Sequence, residues 1–177
     1  MALSEKALRI HAVETLVQYR FHNRELLWEA LQGPPTFVIP DGNKRLAIVG
    51  DAAIRLALAE NWYPGKTSKG NFSNIASAIG SNANLKKIGL EIGLERLMYG
   101  NVGGKGIADT VEAILGAVYL DSGLKKVKDV MDTLDLVSKS RRLEKMLESE
   151  GFVMFDGNEE EDGPAMPTKK RRRSAGS

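Results

Sequence analysis

The stretch that decides the fold reads Ile107-Ala108-Asp109-Thr110-Val111-Glu112-Ala113-Ile114-Leu115-Gly116-Ala117-Val118-Tyr119-Leu120. Its large apolar residues recur three and four positions apart, which is the spacing of one face of an α-helix. Asp109 and Glu112 lie three residues apart, so roughly 60° separates them around the axis and they share a face. Small and apolar residues surround that face, which is typical of a buried helix. Two buried carboxylates need a cationic partner, because an unpaired buried charge is very costly.

A third acidic residue, Asp51, lies in another run rich in Ala, Leu and Ile and is expected to have the same buried character. A hard divalent cation shared by Asp51, Asp109 and Glu112 would compensate all three carboxylates. Isolated helix caps, and ion pairs with Arg45 or Arg55, are the alternative that the residues alone leave open.

The composition is that of one globular domain with ordinary polarity. Hydrophobic residues make up 42% and charged residues 27% of the 177 residues, close to the averages for globular domains. The absence of cysteine excludes disulfides and thiolate metal sites, and the presence of only two histidines argues against a zinc site. No apolar run reaches the ~18 residues of a membrane span, and the N-terminus has no signal-peptide pattern. We therefore expect an intracellular protein without a membrane partner.

The rest of the chain predicts more helices and no strand. Helices are expected at residues 4–18 after a cap at Ser4, after a cap at Asn23, at 44–61 and, in short pieces, between 75 and 94. Loops are expected at 33–43, 66–71 and 100–106. Residues 121–123 should end the 107–120 helix, with one more helix after it. No segment alternates convincingly between polar and apolar residues, so the predicted fold class is all-α.

The composition changes near residue 155. An acidic run at 159–162 is followed by a basic run at 169–173, and such segments are typical of disordered tails. The predicted organisation is a domain at 1–137, a helical extension at 138–154 and a disordered tail at 155–177. The basic run fits a nuclear import signal or an RNA-binding arm, which makes the nucleus the expected location and the cytoplasm the alternative.

One weak motif concerns nucleotides. Gly65-Lys66-Thr67 looks like the end of a phosphate-binding P-loop, but Glu60 stands where the first glycine of that motif belongs. The glycines at 100–106 do not match a dinucleotide-binding pattern either. No nucleotide cofactor is predicted.

Two acidic motifs resemble those of the ribonuclease III family. Residues 44–51 read Lys-Arg-Leu-Ala-Ile-Val-Gly-Asp, which is similar to the family signature Glu-Arg-Leu-Glu-Phe-Leu-Gly-Asp. Residues 108–113 and 116–121 are similar to the family's second acidic motif, nearly residue for residue. The similarity continues in order at 21–31, 81–85 and 88–89, and covers about residues 8–135.

The resemblance implies an all-α endonuclease domain that works as a homodimer and cuts double-stranded RNA for RNA processing. It implies Asp51, Asp109 and Glu112 as ligands of Mg²⁺ or Mn²⁺, with Asp51 and Glu112 as the catalytic pair. A metal ion in such a site activates a bound water and stabilises charge on the leaving oxygen. No protein nucleophile is needed, which agrees with the absence of cysteine.

The sequence departs from the family signature at three positions. Ala47 stands where the family has a glutamate, one helical turn before Asp51, and Lys44 replaces the first glutamate. Ile48 replaces the aromatic residue that contacts the partner subunit, and it is the predicted dimer contact. The alternative hypothesis is therefore a catalytically impaired member that binds structured RNA, the ribosome or a protein.

RNA affinity is expected to come from the nuclease domain and its basic side chains. The 40 residues after Val137 are too short and polar for the double-stranded-RNA-binding domain that many family members carry. Lys66, Lys69 and Lys105 are candidate phosphate contacts, although ordinary solvated lysines are the simpler interpretation of each.

Overall fold

The computed structural model describes residues 4–33, 41–99 and 104–137. Within these ranges six α-helices follow one another: α1 (Glu5–Leu16), α2 (Arg24–Ala30), α3 (Lys44–Trp62), α4 (Lys69–Ile79), α5 (Asn82–Glu91) and α6 (Gly104–Thr133), with a 3-10 turn at Leu94–Arg96. Strands are absent from the described residues, where a single isolated bridge pairs Gln32 with Tyr99. The predicted all-α class is confirmed. The predicted extension and tail, at 138–177, lie outside the described residues.

Both predicted N-terminal caps are present. The Ser4 hydroxyl accepts a hydrogen bond from the Ala7 N–H at 3.2 Å, and the Asn23 side chain accepts one from the Glu25 N–H at 3.1 Å. Helix α1 is slightly shorter than predicted, because Gln18 has a φ of 50°, in the left-handed region that a right-handed helix cannot contain.

Helices α3 and α6 form the centre of the fold and touch through their backbones. A Cβ atom added at Gly50 would overlap the carbonyl oxygen of Glu112, and one added at Gly116 would overlap the carbonyl oxygen of Leu46. Only glycine allows this approach, since any larger residue would separate the helices. The contact fixes the position of Glu112 relative to α3. Large side chains of both helices are fully buried beside it, namely Ile54, Leu58, Ile114, Leu115 and Val118.

Helix α4 begins inside the segment that was expected to be a loop. The Ser68 hydroxyl accepts a hydrogen bond from the Asn71 N–H at 3.2 Å, which caps the helix and starts it at Lys69. Helix α6 likewise begins at Gly104, so residues 104–106, which were expected to belong to a glycine-rich loop, are helical. Its residues 100–103 lie outside the described ranges.

The predicted stop after Leu120 is a break within α6. Gly123 has a φ of 77° and a ψ of −175°, which is not helical, yet the helical run continues to Thr133. Four apolar residues after the break are buried, namely Val127, Val130, Met131 and Leu134. The glycine thus redirects the chain between two helical segments, because it alone adopts this backbone conformation without strain.

Candidate active site

Asp51, Asp109 and Glu112 form an acidic site on α3 and α6. Burial of the Glu112 carboxyl, followed by the negative charges of Asp51 and Asp109, raises the pKa of Glu112 to about 7. The positive charges of Arg55 and Lys105 act in the opposite direction. The fold thus brings together the three acids singled out in the sequence, close enough for their charges to interact.

The acids are less buried than their apolar surroundings predicted. All three are partly exposed, and the Asp51 side chain keeps 43% of its accessible surface. The predicted buried character is therefore only partial, because the acids border the α3–α6 contact while the large apolar residues fill its interior.

Asp51 has a cationic partner within its own helix. The Nε of Arg55 donates to Oδ1 of Asp51 at 3.1 Å and to Oδ2 at 3.3 Å. Oδ1 of Asp51 also lies 4.0 Å from the Cβ position of Gly80, so the end of α4 borders the site. Of the two arginines considered as partners in the sequence, Arg55 is the one paired with Asp51.

The three acids have the donor chemistry that a divalent cation prefers, but their side chains are not arranged as a metal-binding group. Carboxylate oxygens are ligands that Mg²⁺ and Mn²⁺ prefer, and the mutual repulsion at Glu112 favours a cation. Among the residues described, however, no three His, Cys, Asp or Glu side chains form a group that could hold a metal ion. In this arrangement both carboxylate oxygens of Asp51 are paired with Arg55.

The place of the family's fourth acid is not filled by another carboxylate of α3. Ala47 is buried there, with 6% of its surface exposed. Glu60, another acid of α3, lies nine residues after Asp51, about 13 Å further along the helix. Its Oε2 is paired with Nζ of Lys128 at 2.8 Å, so Glu60 belongs to a different contact between α3 and α6.

The three candidate RNA-binding lysines are all exposed. Lys105 lies at the start of α6, near enough to Glu112 for its charge to lower the pKa of that carboxyl. Lys66 precedes α4 and Lys69 is its first residue. Lys105 is therefore the candidate that lies beside the acids, while contact of any of the three with phosphate stays a prediction.

Helix α3 also carries an exposed apolar face. Ile48, the predicted dimer contact, is 73% exposed, and Leu56 and Tyr63 on the same side are 47% and 82% exposed. Beside Leu56 a groove of about 360 Å³ opens between α3 and α4. Its lining residues are Arg55, Leu56, Ala59, Phe72, Ser73 and Ala76. Leu56 and Tyr63 were not predicted as part of this face, although their spacing from Ile48 by eight and fifteen residues is a helical one.

Comparison with known proteins identifies similar sequences and structures. A family model described as Ribonuclease-III-like matches residues 36–138. Ribonuclease 3 of Campylobacter curvus is 30% identical over 129 residues, covering 67% of this chain and 57% of the relative. Ribonuclease 3 of Pseudothermotoga lettingae is 35% identical over 134 residues, covering 64% and 56%. The chain thus spans less than three fifths of the length of these relatives.

A solved structure agrees with the sequence matches. The nuclease domain of ribonuclease III from Campylobacter jejuni aligns with a TM-score of 0.65 at 27% identity, over 75% of this chain and 99% of that domain. That nuclease domain shows structural flexibility in a region involved in dimer formation. With the helical fold, the two acidic motifs and a family match over more than half of the 177 residues, the chain belongs to the ribonuclease-III-like family.

Proposed function

We propose that the protein is an endoribonuclease of the ribonuclease III type that hydrolyses double-stranded RNA with Mg²⁺ or Mn²⁺. The observation that carries the proposal is the environment of Glu112, where burial of its carboxyl and the negative charges of Asp51 and Asp109 together raise its pKa to about 7. Perturbed carboxyl groups on a partly open surface are typical of catalytic sites. A divalent cation is the partner that this donor chemistry favours.

The proposed roles follow from the donor chemistry of the three acids. Asp51, Asp109 and Glu112 would hold the cation, and Asp51 and Glu112 are the proposed catalytic pair. When bound, such an ion supplies an activated water and neutralises the leaving oxygen of the phosphodiester. Near neutral pH, Glu112 holds a proton on its carboxylate for part of the time, because its pKa is about 7. Metal binding therefore includes release of that proton.

RNA binding requires cations along the phosphate backbone. Lys105 is exposed beside the acids, and Lys66 and Lys69 are exposed at the start of α4. We assign these three lysines to phosphate contacts that would orient the duplex without reading its sequence. The test is salt dependence: substitution of one of them should reduce the slope of log affinity against log salt by about one.

The exposed apolar face of α3 supports a homodimer. In a two-fold dimer with antiparallel α3 helices, Ala52 would lie near the axis and Ile48 would oppose Leu56 of the partner subunit. That leucine borders the groove between α3 and α4, so the groove would receive the isoleucine. An exposed apolar patch of this kind marks an interaction surface.

A cleavage assay on long double-stranded RNA tests the function. We expect cleavage with Mg²⁺ or Mn²⁺, loss of cleavage in Glu112→Ala, and full cleavage in Asp132→Asn, which removes an exposed carboxylate from the same helix. If neither wild type nor variant cleaves while both bind RNA, the enzyme proposal is wrong. The protein would then be a catalytically impaired member of the family that binds structured RNA, the ribosome or a protein.

The cellular location stays a prediction. No helix of the described residues is long and apolar enough to cross a membrane. The basic run at 169–173, on which the nuclear location was predicted, lies outside the described residues. The relatives named above come from bacteria, which have no nucleus, and they provide no support for nuclear import.

A further inference from the structure

The arginine beside Asp51 changes the charge of the site. Arg55 follows Asp51 by one helical turn, and its Nε lies 3.1 Å and 3.3 Å from the two carboxylate oxygens. Its positive charge also acts on Glu112, across the contact between α3 and α6. A single guanidinium therefore interacts with acids on both helices.

The residue one turn before Asp51 further reduces the negative charge that α3 contributes to the site. Ala47 occupies the place of a second acid, one turn before Asp51, and it is buried with 6% exposure. Helix α3 thus presents one carboxylate and one guanidinium to the site, and these charges cancel. The remaining negative charge comes from Asp109 and Glu112 on α6, with Lys105 nearby.

The ion pair is exposed enough to open. The side chains of Arg55 and Asp51 keep 60% and 43% of their accessible surface, and exposed pairs of this spacing are weak. The Arg55 guanidinium can therefore leave Asp51 and remain hydrated. A divalent cation at the acids would repel it from the site.

We propose that Arg55 is an internal counter-ion that competes with the divalent cation for Asp51. The inference rests on the proposed function, because it takes Asp51, Asp109 and Glu112 as the cation's ligands. Arg55 occupies both carboxylate oxygens of Asp51, and among the described residues no three acidic or histidine side chains form a group that could hold a metal ion. Cation binding requires the guanidinium to leave Asp51, so Arg55 lowers the affinity of the site for metal.

Direct titration with Mn²⁺ tests the competition without any cleavage assay. Electron paramagnetic resonance of free Mn²⁺ would be followed for wild type, Arg55→Gln and Arg45→Gln, an exposed arginine ten residues earlier on α3. We expect Arg55→Gln to bind Mn²⁺ about three to ten times more tightly than wild type. Arg45→Gln should stay within about twofold, because Arg45 lies six residues before Asp51, about 9 Å along the helix and about 120° around it, where solvent and salt screen its charge. Arg55→Lys keeps the charge and should retain most of the competition.

Thermal unfolding adds a second readout. In EDTA, Arg55→Gln should melt below wild type, because the acids lose their counter-ion, and Mn²⁺ should raise its Tm by more than it raises that of wild type. Equal Mn²⁺ affinity in wild type and Arg55→Gln, with weaker binding in Glu112→Gln, would overturn the role of Arg55 and leave the metal site standing. Absence of Mn²⁺ binding in both wild type and Arg55→Gln would overturn the competition and the proposed metal site together.

Discussion

Glu112 illustrates how the fold changes the chemistry of one residue. Its carboxyl is partly buried and faces two like charges, which together raise its pKa from 4.5 to about 7. The folded state therefore holds the proton more tightly than the unfolded chain. As pH falls from 7 to 4.5 the free energy of unfolding should rise, because the folded protein takes up this proton before the unfolded chain does. Above pH 7 the carboxylate is charged in both states, and its burial near two like charges destabilises the folded state most.

Replacing Glu112 by glutamine should remove this penalty. At pH 8 in EDTA we expect Glu112→Gln to raise the free energy of unfolding by about 1 to 2 kcal/mol, a value reduced for solvent screening of a half-exposed group. At pH 4 the gain should vanish, because the wild-type carboxyl is then neutral in both states. Urea denaturation at the two pH values measures the difference. Asp132→Asn is the control, and an equal gain at both pH values would show that charge is not the cause.

The pKa of Asp121 is shifted in the opposite direction, and its carboxylate links segments that are distant in the chain. Burial alone would raise the pKa of its carboxyl, but hydrogen bonds from the Tyr19 hydroxyl and from the backbone N–H groups of Asn23 and His22 outweigh burial and lower the pKa to about 2. The Tyr19 hydroxyl lies 2.5 Å from Oδ2, and the Asn23 N–H lies 2.8 Å from Oδ1. Asp121 thus ties the connection between α1 and α2 to α6 just before the break at Gly123.

Asp121→Ala should destabilise the protein above pH 4. We expect a loss of about 1 to 3 kcal/mol at pH 7, because the Tyr19 hydroxyl and the backbone N–H groups of His22 and Asn23 lose their charged acceptor. Since the folded pKa lies below the ordinary value of 3.8, this contribution is present above that value and fades as pH falls toward 2. Urea denaturation across this range gives the measurement, with Asp132→Ala as control. A loss of the same size in both variants would contradict the role of these hydrogen bonds.

At the scale of helices, the glycine contact between α3 and α6 determines where the acids lie. Gly50 packs on the backbone of Glu112, and Gly116 packs on the backbone of Leu46. Asp51 follows Gly50 directly, so the same contact that buries the core also brings Asp51 toward Glu112. Backbone atoms cannot move aside as a flexible side chain can, and added volume here must separate the helices.

Replacing either glycine by alanine should therefore strongly destabilise the fold. We expect Gly50→Ala and Gly116→Ala to lower the free energy of unfolding by about 3 kcal/mol or more, as overpacking against backbone does. Gly70→Ala is the matched control, because the atom nearest to its added Cβ is the Ser68 hydroxyl at 3.9 Å. That variant should be neutral or more stable by up to ~1 kcal/mol, since alanine favours helix. Equal Tm values for Gly50→Ala and wild type would contradict the close contact.

The helix boundaries differ in how far the sequence could predict them. Ser4 and Asn23 were expected to cap α1 and α2, and both do, since a cap depends on neighbours within three residues. Ser68 has the same local signal, but the polar residues after it were interpreted as a loop. The break at Gly123 was expected as an end, because local pattern alone does not say whether the next helix packs onto the same core.

For the whole molecule, the exposed face of α3 predicts the oligomeric state. Ile48→Asp should convert the proposed homodimer to a monomer, because a carboxylate would be buried without a partner in an apolar interface. Light scattering coupled to gel filtration at micromolar concentration measures this. Leu8→Asp, which changes a leucine of α1 that is 53% exposed, should leave the dimer intact. A wild-type protein that is monomeric in this measurement would refute the dimer proposal.

Sequence alone determined the features that depend on local order. The all-α class follows from helical periodicity, and the two acidic motifs place the chain in a family whose model matches residues 36–138. These properties depend on residues a few positions apart, so they can be predicted without knowing how the helices pack. The three candidate acids come from the same two motifs, whereas Ile48 was predicted as a dimer contact from the resemblance to the family signature.

Tertiary structure decided which groups meet. The packing of α3 on α6 places Glu112 near Asp51 and raises its pKa to about 7, and it pairs Glu60 with Lys128. The structure also shows Arg55, one of two candidate arginines, on Asp51, and it exposes Leu56 and Tyr63 beside Ile48. Electrostatic energy and burial depend on distances across the fold, and residues far apart in the chain acquire those distances only when the helices pack.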